Sequence, residues 1–226
     1  MAACIDLDPA PTSRLFIAAK APRPGLAKTR LGDGIGHRRA TALYAAFLTD
    51  LGARFDRVSW YVTPAGAWRE IAPLVRPSRG TTVHLQPEGD WNERQRHLLR
   101  AATGKGDQRV VLLASDSPHL TRDYVEDAFA ALTEHDLVLG PTRDGGYALI
   151  GLRHWHDVLS GVTMSGGDVL EGILARAGAL DLRVFLLPTS FDVDEAGDLE
   201  QLRREVRGRR DLPATAAALA GVLGRG

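Results

Sequence analysis

Apolar residues along this chain fall into short dense runs that alternate with longer stretches of helical spacing. Leu15–Ala19 (LFIAA), Val58–Thr63 (VSWYVT), Thr82–Gln86 (TVHLQ) and Val110–Ala114 (VVLLA) each read as a strand. Asp136–Gly140 (DLVLG), Tyr147–Leu152 (YALIGL) and Arg183–Leu187 (RVFLL) complete a set of seven. Between them, Leu43, Phe47 and Leu51 recur at a spacing of four, which predicts a helix over His37–Phe55. Further helices are expected over Ala67–Val75, Trp91–Ala102, Tyr124–Leu132, Asp168–Ala177 and from Asp198 to about Val206. The Ala/Leu-rich tail from Ala214 to Gly226 reads as a last helix. Met1–Ser13 reads as a loose arm ahead of a domain over residues 14–226. Lys28–Gly36 reads as a basic, glycine-rich loop. Strands alternating with helices predict an α/β fold: one mainly parallel, twisted sheet with helices on both faces.

Composition narrows the function more than the fold. The chain has 226 residues, 44% hydrophobic and 25% charged, which are ordinary globular values. Lys+Arg and Asp+Glu both number 28, so the net charge is zero and a broad nucleic-acid-binding face is not expected. Neutral charge leaves monomer and homodimer equally open. The single cysteine, Cys4, excludes an internal disulfide and fits a cytoplasmic protein. No apolar window reaches the length of a membrane span, and the start lacks the basic and apolar regions of a secretory signal.

Four constellations carry candidate chemistry. Lys20, Lys28 and Arg30 sit in a Gly/Pro-rich segment directly after the first strand, where open α/β sheets bind ligands. Cations and loop amides there suit phosphate oxygens, against the alternative of a solvated basic loop. Neither a Walker A loop nor a dinucleotide fingerprint is present. Asp116, in Ser115-Asp116-Ser117-Pro118, ends the strongest strand, where a carboxylate needs a partner or a metal. The alternative is capping of the following helix. Asp144-Gly145-Gly146-Tyr147 lies between two strands and reads by itself as a hairpin turn. Asp192 and Asp194 fall on one side of an extended segment and could complete a metal site with Asp116, against the alternative of capping near Asp198. His154 and His156 lack partners at zinc spacing, and no nucleophile elbow occurs. Trp60, Trp68 and Trp91 read as core or pocket wall.

In this order the motifs resemble a known family. K-x-P-x-P-G-x-x-K-T-R-L (Lys20–Leu31) is followed by S-D-S-P, by G-P-x-x-D-G-G-Y-x-L-I-G-L (Gly140–Leu152) and by D-V-D-x-x-x-D-L (Asp192–Leu199). Over residues 14–205 this is similar to the transferases associated with radical-SAM/selenodomain genes, which are glycosyltransferase-like. It is more distantly similar to 2-phospholactate and molybdenum-cofactor guanylyltransferases.

The resemblance implies a nucleotide-diphospho-sugar transferase (GT-A-like) fold, with a nucleotide, as NTP or NDP-sugar, at the strand carboxyl ends. It implies Mg²⁺ (or Mn²⁺) on Asp116 and Asp194. Lys20, Gly25, Lys28, Thr29 and Arg30 match the phosphate-binding segment, and Ser115 adjoins the metal position. Asp144, Gly145, Gly146 and Tyr147 match a pocket wall. Gln86–Arg94 (QPEGDWNER), with Gly89 and Asp90, resembles the family's Q-x-x-G-D-L-G-x-R stretch. The sequence departs from that pattern at Trp91-Asn92, where Leu-Gly is usual, and at Thr163-Met164-Ser165, where Trp-Ser-Thr is usual.

The expected reaction is nucleotidyl transfer from an NTP to a small phosphate or phosphonate acceptor, with pyrophosphate leaving. Lys20, Lys28 and Arg30 would steady the triphosphate. A glycosyltransferase using an NDP-sugar, with Asp144 as base, is the alternative. A nucleotide-binding protein without turnover is the third reading. The expected partners are the nucleotide and a small-molecule acceptor.

Overall fold

The computed structural model describes residues 13–103, 109–164 and 166–224. Cys4 and the expected arm lie outside them, except that Ser13 opens the first strand. The seven predicted strands all form: β1 (Ser13–Lys20), β2 (Ser59–Thr63), β3 (Thr82–Leu85), β4 (Arg109–Ala114), β5 (Leu137–Pro141), β6 (Tyr147–Leu152) and β7 (Val184–Leu186). They make one sheet in the order β3-β2-β1-β4-β6-β5-β7. β1 pairs in parallel with both β2 and β4. β6 is the exception to the parallel reading, running antiparallel to both β4 and β5. The cause is local: Thr142–Gly146 turns the chain straight back on β5, so no crossover helix intervenes.

Helices cover both faces, as the buried strand runs predict. β1 alternates Leu15, Ile17 and Ala19 to one core and Phe16 and Ala18 to the other. The first core takes α2 (His37–Arg54), α3 (Trp68–Val75), α5 (Arg122–Ala131), α7 (Asp198–Val206) and α8 (Pro213–Leu223). The second takes α4 (Trp91–Thr103) and α6 (Val169–Ala179). Trp60 is in the first core, and Trp68 packs against it.

The basic loop expected over Lys28–Gly36 is instead mostly helix. α1 spans Thr29–Ile35, although its sequence holds two glycines. Leu31 is fully buried and Ile35 packs on the same core, so tertiary burial overrides weak local propensity here.

Candidate functional site

Because β1 connects to β2 on one side and lies beside β4 on the other, the sheet order reverses between β1 and β4. Crevices form outside the strand carboxyl ends at such points. A cavity of about 950 Å³ opens there. Its lining includes Lys20, Lys28, Thr29, Arg30, Gly89, Asp90, Ser115, Asp116, Asp144, Gly146, Tyr147 and Asp194 of the sequence-predicted set, together with Asp192. Gly25 and Gly145 fall outside the lining.

Lys28 is the centre of the site. It stands just before α1 in the left-handed region, at φ 54°. The side chain is only 3% exposed. Its Nζ lies 2.8 Å from Asp116 Oδ2 and 2.7 Å from Asp194 Oδ1. Burial works against its charge, but the two carboxylates outweigh burial and raise its pKa. Arg30 binds the second oxygen of Asp194. Burial alone would raise the Asp194 pKa, yet Lys28, Arg30 and Lys20 hold it below the ordinary value.

The backbone explains why these groups meet. Val193 N donates to Asp116 O at 3.1 Å, and Ser117 Oγ donates to Phe191 O at 2.9 Å. These bonds tie the segment before α7 to the loop after β4, which brings Asp194 beside Asp116. The capping alternatives for the acidic residues do not hold. Thr121 caps α5, accepting from Tyr124 N at 3.1 Å. Asp198 accepts from the amides of Asp194 and Glu195 at 2.9 and 2.7 Å. Ser115 Oγ lies 2.8 Å from Tyr44 Oη, which accepts from Lys20 N at 3.0 Å, so one buried phenol joins the β1 and β4 edges.

Asp192 differs from its neighbour. Burial, then the negative charges of Asp194 and Asp144, push its pKa up to about 6. The cavity is lined by five carboxylates, Asp90, Asp116, Asp144, Asp192 and Asp194, and four cations, Lys20, Lys28, Arg30 and Arg94. That donor chemistry fits a hard divalent cation. Asp116 and Asp194 already converge on one positive charge, and Mg²⁺ takes one or two protein carboxylates and completes its shell with phosphates and water. Among the described residues, no three His, Cys, Asp or Glu side chains gather closely enough to hold a metal by themselves.

Asp144 has the hairpin role that its sequence suggests and also lines the cavity. Its Oδ1 accepts from Thr142 Oγ1 at 2.6 Å and from Gly146 N at 3.1 Å. The need for glycine at 145 is backbone contact. Its φ is 84°, and a Cβ there would sit 1.8 Å from Gly167 O. Leu170 N donates to Gly145 O at 2.9 Å, so the hairpin is clamped to the start of α6.

The two departures from the family pattern occupy the opposite wall. Trp91 is partly exposed at the cavity rim. Asn92 Nδ2 donates to Leu159 O and Val162 O at 2.8 and 2.6 Å, pinning the segment that carries Met164 into the cavity. Ser165 lies outside the described residues. Tyr147, half-buried beside the cavity, donates its hydroxyl to Gln95 Oε1 at 2.8 Å. Gln95, Met164 and Arg94 were not singled out as site residues by the motifs. The resemblance of the 86–94 stretch and the departure at 163–165 are the sequence signals that point at that wall.

The comparisons agree with this architecture. The chain is 34% identical over 210 residues to the 3-phospho-D-glycerate guanylyltransferase of Phenylobacterium zucineum, covering 85% of this chain and 92% of that one. It is 31% identical over 126 residues to the phosphoenolpyruvate guanylyltransferase of Sphaerobacter thermophilus. That match covers 55% of this chain and spans 60% of the relative's length. A crystal structure of a candidate nucleotide-diphospho-sugar transferase from Desulfovibrio desulfuricans G20 superposes with a TM-score of 0.83 and 29% identity, covering 92% and 94% of the two chains. A Leptospira borgpetersenii cytidylyltransferase, 16% identical with a TM-score of 0.52 and 93% coverage of each chain, shares the fold. The family model described as uncharacterized protein conserved in bacteria (DUF2064) matches residues 49–166, and the chain belongs to that family.

Proposed function

We propose that the protein is a nucleotidyltransferase that moves a guanylyl group from GTP to a small phosphorylated acid. A phosphate oxygen of the acceptor attacks the α-phosphorus in line. The bond from that phosphorus to the β-phosphate oxygen breaks, and pyrophosphate leaves. The observation that carries this reading is the buried Lys28 held between Asp116 and Asp194 at the β1/β4 switch point, with Lys20 and Arg30 beside it. A triphosphate needs such charge density, and phosphoryl chemistry needs positioning and neutralisation more than a protein nucleophile. The guanylyltransferase names of the two curated relatives support the base and the acceptor class.

Asp116 and Asp194 would hold Mg²⁺, which supplies neutralisation of phosphate charge when bound. Lys20, Lys28 and Arg30 orient the triphosphate. Asp144 and Gly146 bound the pocket where the acceptor sits. Within its family we place the chain with the radical-SAM-associated transferases, on the K-T-R-L and G-P-x-x-D-G-G-Y elements, and in the cytoplasm, where NTPs are supplied. Nucleotide-sugar transfer is the second reading, favoured by the Desulfovibrio desulfuricans likeness.

Thermal shift separates the readings, because a ligand that binds only the folded state raises stability by RT ln(1 + [L]/Kd). GTP with Mg²⁺ should raise Tm by several degrees, and removal of Mg²⁺ with a chelator should abolish most of that rise. Stabilisation by GDP-sugars or UDP-sugars with none by GTP would overturn the nucleotidyl reading.

A further inference from the structure

One cation of the cavity stands apart from the phosphate end. Arg94 sits in the first turn of α4, on the second-core side of the sheet, whereas Lys28 and Arg30 enter from the first-core side. Its Nη1 donates to Gln86 Oε1 at a long 3.4 Å. Its Nε is buried with no hydrogen-bond partner. Among the described residues no carboxylate pairs with it, so the Nη end of its guanidinium, with one long protein bond, is the part free to meet a ligand in the cavity that Arg94 lines.

The neighbours show what kind of acceptor. Asp90 lines the same wall, and its carboxylate opposes a second anion there. It also caps α4 in a reciprocal pair: Glu93 N donates to Asp90 Oδ1 and Asp90 N to Glu93 Oε2, at 2.8 and 2.9 Å. Trp91 offers a partly exposed aromatic plane on the rim. A flat surface beside a donor fork and an acceptor carboxylate suits a heterocyclic base rather than a phosphate. Guanine matches this set. Its O6 and N7 accept from an arginine fork, and its N–H groups suit a carboxylate.

We infer that Arg94 is the base-discriminating residue of this site, donating to the O6/N7 edge of guanine with Trp91 as the neighbouring plane. This rests on the nucleotidyltransferase reading above. Adenine carries an amino group where guanine carries O6, so it places a donor against a donor and is disfavoured.

The test is calorimetric titration of the full chain with GTP, ITP and ATP in the presence of Mg²⁺. A bidentate arginine contact is worth about 1–3 kcal/mol of discrimination, which is roughly 5–150-fold in Kd. GTP and ITP, which share O6 and N7, should both bind at least about tenfold tighter than ATP. Arg94→Met should bring both ratios close to one. Arg94→Lys, which keeps charge without the fork, should fall between. The side chain makes one long protein bond, so Tm of each variant should match the parent and confirm folding. Arg94→Met weakening GTP and ATP by one common factor would overturn the inference and make Arg94 a phosphate contact. Equal binding of GTP and ATP by the parent would overturn it while leaving nucleotidyl transfer standing. Absence of binding by every NTP would overturn both.

Discussion

Replacing Lys28 by Met should lower turnover by roughly two orders of magnitude while leaving the protein folded. Removing one preorganised charge from a water-poor site typically costs on the order of 10²–10³ in rate. Lys28 is such a charge, at 3% side-chain exposure between two carboxylates. The fold should survive for two reasons. Arg30 stays on Asp194, and Asp116, at 38% exposure, keeps contact with water. Binding should separate the role of the charge from mere packing. Lys28→Met should weaken GTP far more than guanosine, because only the triphosphate carries the charge that Lys28 meets. Equal weakening of both would show that Lys28 only props the loop.

The largest stability effect is expected well away from the nucleotide. Arg54, buried at the end of α2, donates through Nη1 to Pro118 O and Leu120 O, both at 2.7 Å. Its Nη2 reaches Asp211 Oδ2 at 3.0 Å and Asp211 O at 3.2 Å. Arg54→Met would leave these carbonyls and the Asp211 carboxylate without that partner. Removing one member of a buried pair costs about 3–5 kcal/mol, and the part-exposed Asp211 keeps the figure near the lower end. For a chain of this size each kcal/mol lowers Tm by roughly 2–4 °C, so a fall on the order of 10 °C is expected by calorimetry. Pro118 and Leu120 belong to the loop that carries Asp116. The variant should therefore also lose nucleotide affinity at temperatures where it is still folded. A Tm within about 2 °C of the parent would contradict the assigned role.

The central strands were legible because they are dense apolar runs buried on both faces, and the largely exposed edge strands β3 and β7 because they too are short apolar runs, TVHL and VFL. The antiparallel turn of β6 was legible only in part. Asp144-Gly145 signals a hairpin, but pairing of β6 with β4 as well depends on the whole sheet. α1 was missed because Gly32 and Gly34 lower local helix propensity, and Leu31 becomes decisive only once the core exists. The acidic residues were found from their places after strands. That they meet through one lysine was not legible, because Lys28 and Asp194 are 166 positions apart, and it is the Val193 N–Asp116 O bond that brings Asp194 beside Asp116. The stacking of His119 on Phe191, with centroids 4.0 Å apart, is another brace of that junction with no local signal. Trp91 was read as core or pocket wall as well as a departure, and Asn92 only as a departure. The structure makes the first a rim and the second a clamp on the segment before Met164.

The reaction we propose breaks the bond between the α- and β-phosphates of a nucleotide. Its most direct test is to incubate the protein with Mg²⁺, GTP labelled at the α-phosphorus, and either 3-phosphoglycerate or phosphoenolpyruvate, and to follow both products. Pyrophosphate should be released only with the acceptor present, matched one for one by transfer of the α-label to it. Release of a nucleoside diphosphate from a nucleotide sugar, with the α-label of GTP staying in GTP, would contradict it.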